Sequence, residues 1–285
     1  MELRQLEYFV AVADAGTFTA AADVTRTTQP NISAQISSLE RELGGALFEK
    51  SGRGKRLTDA GRAALPHARA ALRSAGQAAH AVSEVRGVLR GALAVGMVDG
   101  CSVPAMFDAL ALFRRRHPGV DLSLAEDSSP DLIDRVRAGD LDVALTGSPG
   151  SMPDGLESSI LLSEPVVAVV PHAHRLAART RLDADDLRAD SIIGLPRGAG
   201  IRTVFDRAHP DLTVAIEASS PDAVAALVRG GLGIGILSAS IADAHTSTLR
   251  AIPLRDIHEP ALLGFVWRPN PSPAVAAFAG IVQSR

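Results

Sequence analysis

The fold is decided by the stretch Thr28-Gln29-Pro30-Asn31-Ile32-Ser33-Ala34-Gln35-Ile36. Thr28 can cap a helix, and Pro30 falls in the first turn, where its missing N–H would have no helical partner anyway. From Ile32 onward, apolar residues recur at spacings of four, three and four as far as Leu43. That spacing predicts an α-helix with one buried face.

The face opposite this apolar stripe carries small or neutral hydrogen-bonding side chains. Together with the residues that flank it, this face comprises Pro30, Asn31, Ser33, Ala34, Ser37, Ser38 and Arg41. Just before it, residues 19–24 predict a shorter helix built on three alanines, which are small enough for two helices to cross closely. Two such helices joined by residues 25–28 are typical of a helix-turn-helix, whose second helix enters a DNA groove. An ordinary helical hairpin is the alternative.

Residues 48–57 have two apolar ends around a basic loop that contains glycines, a pattern that predicts two short strands forming a wing. The loop holds four cations within seven residues: Lys50, Arg53, Lys55 and Arg56. A run of charge is usually a solvated turn. Beside a helix-turn-helix, the same cations favour contact with phosphates or with the minor groove.

The composition is that of a globular protein with more than one domain. Of the 285 residues, 46% are hydrophobic and 21% are charged, which leaves enough apolar mass for full cores. The net charge of −3 argues against nucleic-acid binding by the chain as a whole. Residues 1–90, however, hold 12 Lys and Arg against 9 Asp and Glu, whereas residues 91–285 hold 17 against 23. The basic excess therefore lies with the helix-turn-helix, and the acidic remainder would not be drawn to phosphates.

Three features predict a cytoplasmic location. The single cysteine, Cys101, excludes an internal disulfide and fits a reducing compartment. Residues 1–6 carry an early acidic residue and no long apolar run, so we expect no signal peptide. No stretch approaches the roughly 18 apolar residues that span a bilayer, so no membrane partner is expected.

A long helix is predicted from Asp59 to about Leu89. Its apolar residues step by three, four, three, four and three from Leu65 to Val82. This short heptad repeat of small residues favours a seam between two copies of the chain. Packing against the chain's own C-terminal domain is the alternative. Pro66 predicts a kink near the start of the helix.

From residue 91 short apolar strands alternate with helices, which predicts a mostly parallel α/β sheet. The alternation repeats in the second half, so two lobes around a cleft are expected. Ligands in open α/β sheets sit at the C-terminal ends of the strands. Those ends are rich in hydroxyl groups and helix starts, and they comprise residues 98–102, 127–129, 146–148, 197–200 and 219–220. A helix cap explains each serine among them equally well.

With these elements placed, the sequence resembles the LysR-type transcriptional regulators over essentially the whole chain. The N-terminal segments that carry the resemblance are Leu3-Arg4-Gln5-Leu6 with Phe9, Gly16-Thr17-Phe18-Thr19-Ala20-Ala21-Ala22, Gln29-Pro30-Asn31-Ile32-Ser33, Leu39-Glu40-Arg41-Glu42-Leu43-Gly44, Leu47-Phe48 and Leu57-Thr58-Asp59-Ala60-Gly61. The later segments are Gly139-Asp140-Leu141-Asp142-Val143-Ala144 and Val228-Arg229-Gly230-Gly231-Leu232-Gly233-Ile234.

The resemblance implies three parts: an all-α winged helix-turn-helix in residues 1–58, a dimerising linker helix in residues 59–90, and an α/β effector-binding domain in residues 91–285. The last part would resemble the type 2 periplasmic binding proteins, with lobe I at about residues 91–163 and 269–285 and lobe II at about residues 164–268. The partners implied are double-stranded promoter DNA, a small-molecule effector that alters DNA bending, and further copies in a homodimer or homotetramer. No cofactor is implied.

Residues that contact DNA follow from the resemblance and from the outward face of the helix. Relatives often use the positions that match Gln29, Pro30, Ser33 and Arg53. The position of Ala34 is frequently arginine in the family, so its absence here shifts base readout toward Asn31 or Gln35. The full predicted set is Thr28, Gln29, Pro30, Asn31, Ser33, Gln35, Ser37, Arg53, Lys55 and Arg56.

Residues that contact the effector are predicted from the strand ends and from the family positions that match Asp99, Ser128 and Thr146. The full predicted set is Asp99, Cys101, Ser102, Ser128, Thr146, Gly198 and Ser219. Relatives often have Ser or Thr where this chain has Asp99, and a carboxylate there argues against the family's common anionic effectors.

The two alternatives to a transcriptional regulator are an enzyme and a thiol sensor. An enzyme would be expected to carry a phosphate-binding or nucleophile motif, and the sequence has no GxxxxGK[ST], no GxGxxG after a strand and no GxSxG. His172 and His174 lie two apart, but no cysteine or third histidine nearby completes a metal site, so no metal is predicted. A thiol sensor built on Cys101 would need modification or an intermolecular bridge, because there is no second cysteine.

Overall fold

The structure is a computed structural model that describes residues 1–51, 54–84, 89–101 and 103–284. The chain divides into two compact units. The first contains residues 1–88 and 138–140, and the second contains residues 89–137 and 141–285.

The first unit is a winged helix-turn-helix that continues into a long helix, as predicted. Its elements are α1 (Leu3–Ala15), α2 (Phe18–Val24), α3 (Gln29–Leu43), β1 (Phe48–Ser51), β2 (Gly54–Leu57) and α4 (Asp59–Glu84). Gly16 and Gly44 end α1 and α3 in the left-handed conformation, at φ +70° and +76°. The helix α4 includes Pro66 within its 26 residues, and the kink expected there stays a prediction. Residues 85–88, the predicted end of α4, lie outside the described part.

The core of this unit joins three helices to the wing. Ile32, Ile36 and Leu39 of α3 are at most 1% exposed, which confirms the apolar stripe read from their spacing. Leu43, the last residue of that stripe, is 48% exposed because the helix ends there. The ring of Phe48, at the start of the wing, stacks edge-on against phenylalanines of α1 and α2, with centroids 5.5 and 6.1 Å apart.

The first half of the apolar stripe on α4 packs inside the same unit. Ala68 is 5% exposed in the core of the helix-turn-helix, and Leu65 and Leu72 pack against that core. These three side chains therefore serve the fold of one chain. Ala75 is then the described residue of the predicted repeat that is still available to join two copies of the chain. The side chains at positions 79 and 82, which belong to the same repeat, lie outside the described part.

The second unit is built from two five-stranded sheets covered by helices. The elements around the first sheet are β3 (Gly91–Val98), α5 (Pro104–Arg116), β4 (Val120–Asp127), α6 (Ser129–Ala138), β5 (Val143–Pro149), β6 (Glu157–Glu164), β12 (Ala261–Trp267) and α11 (Pro273–Gln283). Those around the second sheet are β7 (Val166–Pro171), α7 (Ala184–Leu187), β8 (Ile192–Gly194), α8 (Gly200–Ala208), β9 (Val214–Glu217), α9 (Pro221–Arg229), β10 (Ile234–Ser238), α10 (Ala239–Asp243) and β11 (Leu249–Pro253).

Both sheets mix parallel and antiparallel pairs, so the expectation of mostly parallel sheets was wrong. The first sheet has the order β4-β3-β5-β12-β6, and the second has the order β11-β7-β10-β8-β9. In each sheet, one of the two antiparallel pairs involves a strand that sequence reasoning did not predict, β6 in the first and β11 in the second. Both are edge strands with polar positions, which weakens the apolar signal on which the prediction depended. The other antiparallel pair, β12 with β5 or β10 with β7, joins two predicted strands whose relative direction the sequence pattern does not give.

The strand β12 belongs to the first sheet, which corrects the predicted lobe boundary at residue 268. Residues 261–267 pair antiparallel with β5 along their whole length and with β6 on the other side. The indole of Trp267 donates a hydrogen bond to Glu157 at 2.7 Å. The chain therefore returns to the first sheet at residue 261, where Ala261 pairs with Glu164.

The two halves of this unit end one helix in the same way. The helices α5 and α8 stop at His117 and His209, whose φ and ψ angles are −131° and 66° in one case and −129° and 66° in the other. Each histidine ring packs on a phenylalanine four residues earlier, Phe113 or Phe205, at 5.0 and 5.3 Å. A proline follows each histidine and cannot continue the helix, so the chain turns toward the next strand.

Candidate functional site

The outward face of α3 is open and polar. Thr28, Gln29, Pro30 and Ser37 are exposed, as is Ala34 between them. The predicted contact residues Ser33 and Gln35 are half-buried at the edges of this face. Short side chains on an exposed helix face allow the backbone to approach base edges in a major groove.

Asn31 is held by neighbouring side chains. Its amide donates hydrogen bonds to the Thr27 hydroxyl at 2.9 Å and to the Tyr8 hydroxyl at 3.3 Å. The Tyr8 hydroxyl also accepts a hydrogen bond from Arg4 at 2.9 Å, and the Tyr8 side chain is buried. Asn31 thus fixes the start of α3 against α1. Sequence reasoning could not find this role, because it depends on a residue 23 positions away.

The wing is tied to the helix-turn-helix by its backbone. The Lys55 amide donates to the Gly16 carbonyl at 2.8 Å, and the Lys55 ammonium lies 5.0 Å from the centroid of the Phe18 ring. The Arg56 guanidinium donates twice to Glu49, at 2.6 and 2.9 Å, on an exposed surface where such pairs are weak. Arg53, the wing residue that the resemblance favours most, lies outside the described residues.

Several exposed cations of this unit are absent from the full set of predicted contact residues, among them Arg4, Arg26 and Arg41. Arg26 stands in the turn between α2 and α3 with φ +52°, a conformation that side chains other than glycine rarely adopt. Its place in the predicted turn 25–28, directly before the polar helix, was the signal that could have identified it.

The second unit contains a partly open cavity of about 190 Å³. It is lined by the ends of strands from both sheets and by the starts of the helices that follow them, as the rule for open α/β sheets predicts. Four of the predicted effector residues line it: Asp99, Cys101, Ser128 and Ser219.

Two of the other three predicted effector residues do not line the cavity. Thr146 is fully buried, and its hydroxyl has no hydrogen-bond partner in the part of the chain that the structure describes. Gly198 makes a turn at φ +93°, where an added Cβ would lie 2.8 Å from the Pro130 ring. Ser102 lies outside the described residues.

Sequence reasoning missed wall residues that come from β6, β10, α10 and β12. Examples are Leu162, Glu164, Ser240 and Leu262. The available signal for β6 was the short apolar run of residues 160–162, but polar residues on both sides of it obscured the strand.

The lining is largely apolar, with three acidic or basic side chains: Asp99, Glu164 and Arg197. The Glu164 carboxylate is already engaged, because it accepts hydrogen bonds from the Ser240 amide at 3.2 Å and from the Ser240 hydroxyl at 2.7 Å. Asp99 and Arg197 are exposed, and neither has a hydrogen-bond or ion-pair partner for its side chain among the described residues.

A buried arginine holds the segment that carries Arg197. Arg202 is 5% exposed and donates hydrogen bonds to the Leu195 carbonyl at 3.0 Å and to the carboxylates of Asp206 and Glu217 at 2.8 Å. The wall formed by residues 195–197 is therefore fixed to α8 and β9 through charge-assisted hydrogen bonds.

Cys101 is a poor candidate for a reactive thiol. Burial raises the pKa of its thiol, the carboxylate of Glu126 adds to that effect, and a backbone hydrogen bond involving Val103 opposes it. Because the thiolate is the reactive species, a raised pKa keeps the thiol neutral and slow to oxidise. The thiol-sensing alternative is therefore disfavoured.

Within the described ranges, no group of three or more His, Cys, Asp or Glu side chains could hold a metal ion. His172 contacts the Thr246 carbonyl at 3.0 Å, and His174 lies 3.5 Å from Asp190. No helix in the described part of the chain is long and apolar enough to cross a membrane.

These features define a class of protein: a DNA-binding winged helix-turn-helix in one unit and a two-sheet, ligand-binding domain with a cavity in the other. Comparison with known proteins names the family. The family model "Bacterial regulatory helix-turn-helix protein, lysR family" matches residues 3–62, and "LysR substrate binding domain" matches residues 86–285. The chain therefore belongs to the LysR family, and it is a DNA-binding transcriptional regulator with an effector-binding domain.

Individual relatives agree over most of the chain. The HTH-type transcriptional regulator YnfL of Escherichia coli is 30% identical over 274 residues, which cover 94% of this chain and 92% of that protein. Among solved structures, a full-length OxyR variant from Pseudomonas aeruginosa is 27% identical, with a TM-score of 0.79 and coverage of 100% of this chain and 94% of that one. Full-length CbnR in complex with its target DNA is 26% identical, with a TM-score of 0.61 and coverage of 100% and 99%.

Proposed function

We propose that this chain regulates transcription from the cytoplasm by binding double-stranded promoter DNA through α3 and the wing, and that a small molecule in the cavity alters that binding and the DNA bend. The observation that carries the proposal is the open polar face of α3, set on a helix whose opposite face is fully buried. The solved complex of CbnR with its target DNA supports it.

The proposed DNA contacts come from two groups of side chains. Thr28, Gln29, Pro30, Ser33, Gln35 and Ser37 would face the groove, while Arg53, Lys55 and Arg56 of the wing would hold phosphates or the minor groove. Asn31 supports them indirectly by fixing α3 through Tyr8. Gln29 and Gln35 are then the amide side chains available to recognise adenine, because a glutamine amide can form two hydrogen bonds, one with N6 and one with N7 of the base.

A gel-shift titration against a promoter fragment tests the DNA interface. Ser33→Arg puts a long cation where a half-buried short side chain stands, so we expect loss of specific binding without unfolding. The matched control is Ser123→Arg, on an exposed position of β4. Undiminished binding by Ser33→Arg, or equal loss by the control, would contradict the assignment.

We further propose that each of three segments has its own function: residues 1–58 bind DNA, residues 59–90 join two copies of the chain, and residues 91–285 hold the effector. A homodimer through α4, paired into a homotetramer, is the proposed assembly. Because Leu65, Ala68 and Leu72 pack within the first unit, we place the proposed seam between copies in the part of α4 from Ala75 onward.

Sedimentation of the purified protein tests this seam. Ala75→Glu places a charge in the proposed seam and should lower the oligomeric state, because a buried unpaired carboxylate is strongly unfavourable. Ser74→Glu, the neighbouring exposed position, is the control and should leave the assembly unchanged. An unchanged assembly in Ala75→Glu would place the interface elsewhere.

A further inference from the structure

The cavity offers one unengaged charge of each sign. Asp99 follows β3 of the first sheet, and Arg197 follows β8 of the second, and both line the cavity. The Oε2 atom of Glu164 already accepts two hydrogen bonds, from the amide and the hydroxyl of Ser240. Asp99 and Arg197 have no such partner among the described residues, and Arg202 fixes the segment that presents Arg197.

The rest of the wall limits the size and polarity of the occupant. The side chains of Val98, Val103, Leu162, Leu195, Ile201 and Ile241 give the cavity its apolar lining. Its volume of about 190 Å³ is below the range of about 300–1,000 Å³ that is usual for drug-sized ligands. The occupant is therefore a molecule with few heavy atoms and an apolar carbon body.

We propose that the effector is a small apolar amino acid whose ammonium group binds Asp99 and whose carboxylate binds Arg197. This inference rests on the proposed regulatory function of the cavity. A ligand with only a carboxylate would leave Asp99 without a partner and would place a second negative charge in the same cavity. A ligand with only an ammonium would leave Arg197 without a partner and would place a second positive charge there. A zwitterion satisfies both groups with charge-assisted hydrogen bonds, and the guanidinium can hold its carboxylate with two.

Calorimetry on the full-length protein tests the proposal with two sets of probes. L-leucine carries its charges on one carbon, and 6-aminohexanoate carries them at the two ends of a chain. Their matched analogues are 4-methylpentanoate and hexanoate, which lack the ammonium, and 3-methylbutylamine and pentylamine, which lack the carboxylate. We expect at least one zwitterion to bind about tenfold or more tightly than both of its analogues, as expected for one charged hydrogen bond.

Substituting Asp99 or Arg197 should shift the preference away from the zwitterion, toward the carboxylate-only analogue in one case and toward the amine-only analogue in the other. Asp99→Asn should weaken the zwitterion about tenfold and strengthen the carboxylate-only analogue, because a like charge is removed. Arg197→Gln should weaken the zwitterion and strengthen the amine-only analogue. Asp121→Asn and Arg115→Gln, at exposed positions outside the cavity wall, should change none of these affinities.

Two results would overturn the proposal: no binding by either zwitterion at 10 mM, on the order of the weakest specific affinities, or equal or tighter binding by a single-charge analogue. The same preparations are titrated with promoter DNA in a gel shift. Intact DNA binding without zwitterion binding defeats this inference alone, whereas zwitterion binding without DNA binding defeats the proposed function and leaves the ligand assignment in place.

Discussion

His209 is a buried titratable side chain in a largely apolar setting. It is 4% exposed, its Nε2 atom has no hydrogen-bond partner within the described residues, and the Phe205 ring lies 5.3 Å away. Burial lowers the pKa of its imidazole, and the carboxylate of Asp256 opposes this only in part. The native protein therefore keeps this ring neutral to lower pH than the unfolded chain does.

This pKa shift makes the stability of the second unit dependent on pH. The unfolded chain takes up the proton near the ordinary value of about 6.5, and the native state takes it up only below that value. Between the two values the unfolded state binds more protons, so the free energy of unfolding falls as pH decreases. The stabilisation is complete above the ordinary value and is lost as pH falls through the lowered native pKa.

Melting curves between pH 5 and 8, a window set at about the ordinary histidine value, measure the effect. His209→Phe should flatten the acid side of the profile, since the replacement is apolar and cannot titrate. His258→Phe removes an exposed histidine and should leave the profile as in the wild type. A profile for His209→Phe that still falls like the wild type would show that another group carries the dependence.

Among the elements, α4 and the wing meet at a contact that leaves no room for a side chain. A Cβ atom on Gly61 would lie 2.1 Å from the Leu47 carbonyl oxygen and 3.0 Å from Leu57. The same carbonyl accepts the Thr58 amide at 3.0 Å, so it cannot easily move away. Glycine at this position lets α4 start directly behind the wing.

Gly61→Ala should therefore lower the free energy of unfolding by about 3 kcal/mol, the upper part of the usual overpacking range. Urea unfolding followed by circular dichroism measures it. Gly280→Ala is the control: this exposed helical glycine has nothing within 4 Å of an added Cβ, and the change should stabilise by about 0.5–1 kcal/mol. Similar changes in the free energy of unfolding for the two substitutions would contradict the explanation that a Cβ at position 61 clashes with the Leu47 carbonyl.

The elements also show how far sequence reasoning reached. The spacing of Ile32, Ile36 and Leu39 predicted α3 and its buried face correctly, because that pattern reflects local geometry. The strand β6 and the role of Asn31 were missed, because a polar edge strand and a side chain bonded to Tyr8 both depend on distant partners. Four of the seven predicted effector residues line the cavity, since strand ends can be located without knowing the pairing of the strands.

For the whole molecule, the uneven distribution of charge governs the response to salt. The basic excess lies in residues 1–90, and residues 91–285 are acidic. Each cation that neutralises a phosphate releases counterions, so the logarithm of the affinity falls with the logarithm of the salt concentration.

Lys50→Ala should weaken binding to all DNA sequences similarly and reduce this salt slope by about one. The residue is exposed at the end of β1, in the wing. Fluorescence anisotropy between 50 and 200 mM salt, a range over which phosphate contacts change affinity by about 10³-fold or more, measures the slope. Arg115→Ala in the second unit should leave the salt slope unchanged. An equal change of slope in both variants would contradict a phosphate contact made by the wing.

The return of the chain at β12 makes the second sheet and its helices a separable part of the sequence. Because Ala261 pairs with Glu164, the second sheet and its helices, residues 165–260, form one continuous insert whose two ends leave the first sheet side by side. Replacing this insert would need two joints, which lie next to each other in the first sheet and outside the unit that binds DNA. The insert supplies Arg197, whereas Asp99 follows a strand of the first sheet, so exchanging the insert would replace one of the two charged residues proposed to hold the effector and keep the other.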